Sequence, residues 1–211
     1  MSDENDAAYS QCAKPRGEEG RELLLDMNRH HAPVYEWCLE HMPKAADGSV
    51  LDIGCGGGEF IARMAERYPF AMFFGADISP DSLAVTREVN SELIAGGGLE
   101  LRECSVERMP FVDGAFDIVT SVENFFFWPD LRENLKEVAR VVSAGGILVI
   151  GSEMRLDGRP EGYDTEILEK CGAKLVRDEV VADCMDKAGF DVSVHPKDGG
   201  DIVAYVGVKR I

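Results

Sequence analysis

The sequence predicts an α/β fold: a doubly wound, mostly parallel seven-stranded sheet with an antiparallel last strand and helices on both faces. Three observations predict it. From residue 49 to residue 151, short apolar runs of strand length alternate with amphipathic segments of helical period, and parallel neighbours need such crossovers. The first run, Val50-Leu51-Asp52-Ile53, passes directly into Gly54-Cys55-Gly56-Gly57-Gly58 and then into a helical pattern from Glu59. The last two runs flank Lys197-Asp198-Gly199-Gly200-Asp201, whose glycines suit a hairpin.

The elements follow in order. Residues 1–18 are polar, carry Pro15 and Gly17 and show no apolar period, so they read as a flexible arm ahead of a single domain over 19–211. From Arg21, apolar residues at three- and four-residue steps give two short helices, broken near Pro33 and ended at Pro43. The first strand spans about 49–53 and its helix stops at Pro69; Phe70 to Ala76 is the second strand. Ser79-Pro80 caps a long helix to about Ala95, with Ser79 at the N-cap and Pro80 in the first turn. Leu99–Cys104 and Phe116–Val122 are the third and fourth strands. A helix from Asp130 ends at Ala144-Gly145-Gly146, and Ile147–Gly151 is the fifth strand. After a polar stretch with Gly158, Pro160 and Gly162 come helical segments near 165–171 and 178–188, then strands at 190–195 and 202–208.

Composition narrows the function. A chain of 211 residues with 45% hydrophobic side chains can bury a core without disulfide or metal staples. Its formal charge of −17 repels phosphate backbones, and no basic patch interrupts it, so nucleic acid is a poor partner. The six cysteines are scattered, with no C-x-x-C pair and no His at metal-ligand spacing; they read as small buried hydrophobes in a reducing compartment, and no metal is expected. The acidic start, Met1-Ser2-Asp3-Glu4, is unlike a signal peptide, and no apolar run approaches the roughly 18 residues of a membrane span. These features lead us to expect a soluble, cytoplasmic protein.

A strand, a tight Gly turn and a helix N-terminus form a nucleotide-cofactor cradle. A dinucleotide fingerprint has its third glycine three residues beyond the second, whereas Gly54, Gly56 and Gly58 stand at two-residue steps. Leu51-Asp52-Ile53-Gly54-Cys55-Gly56-Gly57-Gly58 resembles the first motif of the class I, Rossmann-like S-adenosylmethionine-dependent methyltransferases. Gly75-Ala76-Asp77-Ile78-Ser79 resembles the second, Ser105 to Phe111 with Asp113-Gly114 and Phe116-Asp117 the stretch around the third and fourth strands, and Arg140 to Gly146 the segment before the fifth. The likeness is nearest to the small-molecule branch of quinone-biosynthesis and sterol-type enzymes.

This resemblance implies S-adenosyl-L-methionine as cofactor and a small-molecule methyl acceptor. It assigns Asp52, Gly54, Cys55, Gly56, Asp77, Ile78, Ser105 and Val106 to cofactor binding, with Asp77 on the ribose and Ile78 on the adenine. Relatives that read the adenine amino group through Asp have it where this chain has Ser105. Residues 19–45 become a helical lid, 49–151 the cofactor core and 152–211 the C-terminal helices and hairpin. In open α/β sheets substrates bind beyond the strand carboxyl ends, which singles out Glu123, Asn124, Phe125 and Trp128 after the fourth strand, together with Met27 and His31 of the lid. Glu123 is a candidate base or amine-orienting group, and His31 a candidate for gating or proton transfer. Two other readings stay open at this stage: a non-catalytic cofactor-binding sensor, and a nicotinamide oxidoreductase that the glycine spacing opposes.

Overall fold

The computed structural model describes residues 11, 13–157, 159 and 165–211, without the side chain of residue 167. Residues 1–10 and 12 of the expected arm, and Gly158, Pro160 and Gly162 of the polar stretch, lie outside the described residues. Two helices open the fold, α1 (Gly17–His30) and α2 (Ala32–His41), divided where Pro33 enters the first turn of α2. Strand β1 (Ser49–Ile53), helix α3 (Glu59–Arg67) and strand β2 (Met72–Asp77) follow. Helices α4 (Pro80–Val89) and α5 (Ser91–Ala95) lead to β3 (Leu99–Glu103) and β4 (Phe116–Val122). A single 3-10 turn (Phe125–Phe127) precedes α6 (Leu131–Val141) and β5 (Val142–Ser152). The chain ends in α7 (Glu166–Lys170), α8 (Asp178–Lys187), β6 (Phe190–Pro196) and β7 (Val203–Lys209).

All seven strands form one sheet in the order β3-β2-β1-β4-β5-β7-β6. The pairs among β1 to β5 are parallel, and β7 inserts antiparallel to both β5 and β6. Alternate strand residues feed two cores. Val50, Phe73, Ile118 and Val149 pack with α2, α3 and α4, through residues such as Cys38, Ile61 and Leu83. Leu51, Val119, Leu148 and Tyr205 pack on the opposite face with Leu135 and Val138 of α6 and Met185 of α8. Burial on both faces explains the near-continuous apolar runs that read as strands. The strand order reverses between β1 and β4, so a crevice opens at their carboxyl ends.

The structure departs from the sequence expectation in four places. The expected long helix to Ala95 breaks at Asn90 (φ −108°, ψ 29°), because the Asn90 amide is drawn to the Gly58 and Thr86 carbonyls at 2.9 and 3.1 Å. The helix expected to stop at the glycine pair ends earlier, at Val141, and β5 runs through Ala144-Gly145-Gly146. There the pairing moves from Phe116↔Val142 to Ile118↔Ile147, so the glycines make a bulge, with Gly145 at φ 76°. The expected arm gives way to α1 at Gly17, whose N–H donates to Asp81 Oδ2 at 3.0 Å, while Ser79 Oγ donates to the Pro15 carbonyl at 3.1 Å. Phe70, expected to open β2, is instead in a turn and 85% exposed.

Helix α2 lies close on the sheet at Gly151, where an added Cβ would collide with Cys38 Sγ. Replacing Gly151 by Ala should cost about 1–3 kcal/mol through overpacking. Urea unfolding should show that loss, and Cys38→Ala in the same chain should recover most of it by vacating the space; an unchanged midpoint in the single variant would refute the close approach.

Candidate functional site

The crevice is built on the loop that joins β1 to α3. Gly54, Gly56 and Gly58 adopt φ of 69°, 51° and 78°, a region that side-chain-bearing residues rarely enter, which is why glycines recur there at two-residue steps. The backbone N–H groups of Gly54 and Cys55 donate to the Ala76 carbonyl at 2.7 and 3.1 Å, tying the loop to the end of β2. Side chains from four other elements hold the loop carbonyls. Asn124 takes Ile53 at 2.6 Å, Thr86 takes Gly56 at 2.8 Å, Asn28 takes Gly57 at 3.1 Å and Asn90 takes Gly58 at 2.9 Å. The Asp77 carboxylate, at the end of β2, accepts from the Gly56 N–H at 3.0 Å and the Ser79 N–H at 2.8 Å. These bonds orient it and leave further lone pairs for a ligand.

A cavity of about 390 Å³ opens over this loop. All eight residues assigned to cofactor binding line it: Asp52, Gly54, Cys55, Gly56, Asp77, Ile78, Ser105 and Val106. Ile78 is an apolar side chain left 45% exposed, a surface that a flat ring can cover. Ser105 Oγ donates to Glu107 Oε2 at 3.0 Å, and Glu107 lines the same wall. The sequence reading missed Glu107, and also Asn28, whose buried amide ties α1 to the loop; Asn28 sits beside Met27, and Glu107 two residues beyond Ser105. Pro15, from the expected arm, lines the cavity too.

A second cavity, of about 650 Å³, lies beyond the carboxyl ends of β4 and β5 and is walled by Leu23, Phe126, Met154 and Leu168 among others. Met27, His31, Glu123 and Phe127 line both cavities and form the neck between them. Of the residues expected to face a substrate, Met27, His31, Glu123, Asn124 and Trp128 line the first cavity. Phe125 does not line either. It is 3% exposed and packs into the core, its ring 6.2 Å from that of Tyr205, because the 3-10 turn rotates it under the sheet and turns Phe127 outward to the neck. Asn124 is mainly a clamp: Oδ1 accepts from Ser121 Oγ at 2.8 Å and Trp128 Nε1 at 3.0 Å. His41 and His195 stack on each other at 4.3 Å, and neither lines either cavity.

Burial governs the electrostatics. Desolvation pushes Asp52 up to about 7, against the hydrogen bond from Thr120 Oγ1 at 2.6 Å. Asp77 is raised by the same cause, opposed by its backbone donors. Desolvation pushes Glu123 up to about 8, partly offset by the Glu153 N–H donating to its carboxylate. Glu123 also sits at φ 56°, which is unusual for a residue other than Gly and holds its side chain toward the neck. His31 is pushed down to about 4, first by burial and then by His30, so it is a neutral imidazole at neutral pH.

Asp52 carries a stability consequence. Its folded value near 7 exceeds the ordinary 3.8, so between these pH values the folded chain keeps a proton that the unfolded chain has released, and stability falls as pH rises through that window. Asp52→Asn removes the effect. In the ligand-free protein its advantage over wild type should be near zero at pH 4 and reach on the order of 2–4 kcal/mol at pH 8, as read by urea unfolding at both values. Equal stabilities at pH 8 would refute a destabilising Asp52 charge.

Comparison with known proteins agrees with this architecture. The family model described as a methyltransferase domain matches residues 51–150, the span from the end of β1 to the end of β5. Demethylmenaquinone methyltransferase of Thermus thermophilus is 38% identical over 114 residues, covering 53% of this chain and 48% of its own. The chain spans about half the length of the curated relatives it matches. Geranyl diphosphate C-methyltransferase of Streptomyces coelicolor, solved with S-adenosyl-L-homocysteine, superposes with a TM-score of 0.73 at 16% identity, over 92% of this chain and 84% of its own. A SAM-dependent methyltransferase of Aquifex aeolicus gives 0.72 at 15% identity, over 89% and 97%. Residues 51–150 thus match the methyltransferase-domain model, and the chain shares the fold of these S-adenosylmethionine-dependent methyltransferases of known structure.

Proposed function

We propose that this chain moves a methyl group from S-adenosyl-L-methionine, held in the first cavity, to a small-molecule acceptor held in the second. The observation that carries this reading is the neck: two ligand-sized cavities share Met27, His31, Glu123 and Phe127, and no other described residue, in their walls. The cofactor's chemistry fits the wall. It is a cation bearing a ribose and an adenine, and the first cavity offers carboxylates at Asp52 and Asp77 and apolar surface at Ile78 and Val106. Asp77 binds ribose hydroxyls through its remaining lone pairs, Ile78 and Val106 cover the adenine, and Gly54 and Gly56 let the backbone approach closely. When bound, the cofactor supplies an electrophilic methyl on sulfur, and transfer is an in-line displacement that depends mainly on orientation and on a site closed to water.

The chain's own residues provide that closure. Helices α1 and α2 act as a lid, tied down where Asn28 donates to the Gly57 carbonyl. Met27 and Phe127 shield the neck, and His31 and Glu123 are the polar groups that meet the acceptor there. The apolar walls of the second cavity suit an acceptor with a hydrophobic body, in keeping with the demethylmenaquinone named for the Thermus relative. The charge of −17 favours such an acceptor over nucleic acid, and among the described residues no helix is long and apolar enough to cross a membrane. We take a soluble cytoplasmic setting from the same features.

Titration calorimetry with S-adenosylhomocysteine and, separately, NADH tests the cofactor assignment: the first should bind and the second should not. Asp77→Ala should weaken S-adenosylhomocysteine by about 1.5–3 kcal/mol, the range for a hydrogen bond to a charged group, or roughly 10–150-fold. Unchanged affinity would show that the ribose contact is misassigned. With radiolabelled cofactor and a panel of quinols, phenols and amines, Phe127→Ala should lower kcat/KM for any acceptor turned over while leaving cofactor affinity within about twofold. Tight cofactor binding without transfer to any of them would favour the sensor reading.

A further inference from the structure

We propose that His31, Glu123 and Glu153 form a binding site for one divalent transition-metal cation at the neck between the two cavities. The proposal takes its role, but not its geometry, from the methyl-transfer reading above. Three separate elements deliver the ligands: His31 stands at the joint between α1 and α2, Glu123 follows β4, and Glu153 follows β5. Strands β4 and β5 are paired up to Val122↔Gly151, so the two carboxylates are neighbours because the sheet makes them so. One ligand atom from each residue lies within 4.8 Å of the other two. Metal–nitrogen and metal–oxygen bonds of about 2.0–2.2 Å in a tetrahedral site put ligand atoms roughly 3.3–3.6 Å apart, so a closure of up to about 1 Å, within reach of side-chain rotation, completes the set.

The donor set and its surroundings point to a metal ion. One imidazole with two carboxylates is the mixed nitrogen and oxygen environment that suits first-row divalent ions, and three protein ligands leave coordination positions open. Those positions face ligand space, since His31 and Glu123 line both cavities and Glu153 lines the second. The imidazole is available: among the described residues no hydrogen bond reaches either ring nitrogen of His31, and its plane is set by an edge-on contact with Tyr35 at 6.2 Å. The carboxylates are oriented by outer partners of the kind that fix metal ligands. Glu123 accepts from the Glu153 N–H, and Glu153 Oε1 lies 3.0 Å from His30 Nε2. An ion here would hold an oxygen-bearing acceptor with its donor atom at the neck, which makes the acceptor class one that chelates through oxygen.

Calorimetry and visible absorption with Co(II) on the full chain test the site. We expect about one equivalent to bind at neutral pH, to be displaced by Zn(II), and to show the absorption of a nitrogen-and-oxygen ligand set. Glu153→Gln and His31→Ala should each weaken Co(II) roughly tenfold or more with circular dichroism as in wild type, and Glu153→Gln, which lies outside the first cavity, should leave S-adenosylhomocysteine affinity unchanged. Absence of saturable binding, or equal binding in both variants, would overturn the site and assign any uptake to exposed acidic residues. If S-adenosylhomocysteine binds and Co(II) does not, the cation site fails and the methyl-transfer reading stands. If Co(II) binds with the expected sensitivity and S-adenosylhomocysteine does not, the reverse holds.

Discussion

The structure depends on one tether. The Ala76 carbonyl at the end of β2 accepts from both Gly54 and Cys55, and the neighbouring Asp77 carboxylate accepts from Gly56. These bonds bend the chain back at the carboxyl end of β1 and aim α3 away from the crevice. The bend needs three left-handed residues, which glycine reaches without the Cβ clash that other residues suffer. With the loop's N–H groups tied inward to β2, Asn28, Thr86 and Asn124 supply donors to its carbonyls, and Asn90 joins the Ala62 N–H on that of Gly58. Thus α1, α4, the residue that ends α4 and the turn after β4 are all locked to one six-residue stretch, Ile53 to Gly58. That explains how a loop on the sheet's rim can form a rigid wall.

The same bonds couple α1 to the first cavity. Asn28 is buried and belongs to the helix that supplies Met27 and, at its end, His31. Because Asn28 holds Gly57, a displacement of α1 breaks a buried hydrogen bond and opens the cavity wall in one step. Gly17 and Pro15 tie the start of α1 to Asp81 and Ser79, at the cap of α4. Helix α1 is therefore pinned at both ends to elements that also contact the loop, and Pro15, before Gly17, lines the first cavity.

Much of this was legible in the sequence, for reasons that also mark the limits. Strands buried on both faces, glycine steps and the Ser79-Pro80 cap are local signals, and each gave the right element. The break at Asn90 was not legible, because it is made by a carbonyl 32 residues away. The bulge at Gly145 reads identically to a helix stop until the register with β4 is known. At the site, the eight residues assigned to the cofactor come from contiguous motifs and line one cavity, whereas Phe125 and Phe127 differ only by which way one 3-10 turn faces. Glu153 and its nearness to Glu123 and His31 escaped notice because spacing rules detect ligands that share an element. These three share none.

Charge sets the last constraint. Asp52 and Asp77 are held in the cavity wall at the expense of their solvation, and burial raises both. Asp52 keeps one partner in Thr120, and Asp77 keeps its backbone donors and a weak attraction from Lys14, so among the described residues neither carboxylate has an ion-pair partner to offset that burial. A ligand that brings positive charge into the first cavity relieves the penalty, whereas a neutral or anionic ligand of the same shape does not. The site is thus matched to a cation by what the folded chain gives up when the ligand is absent. Since a ligand bound only by the folded state stabilises it by mass action, stability and selectivity for a cationic cofactor share one cause.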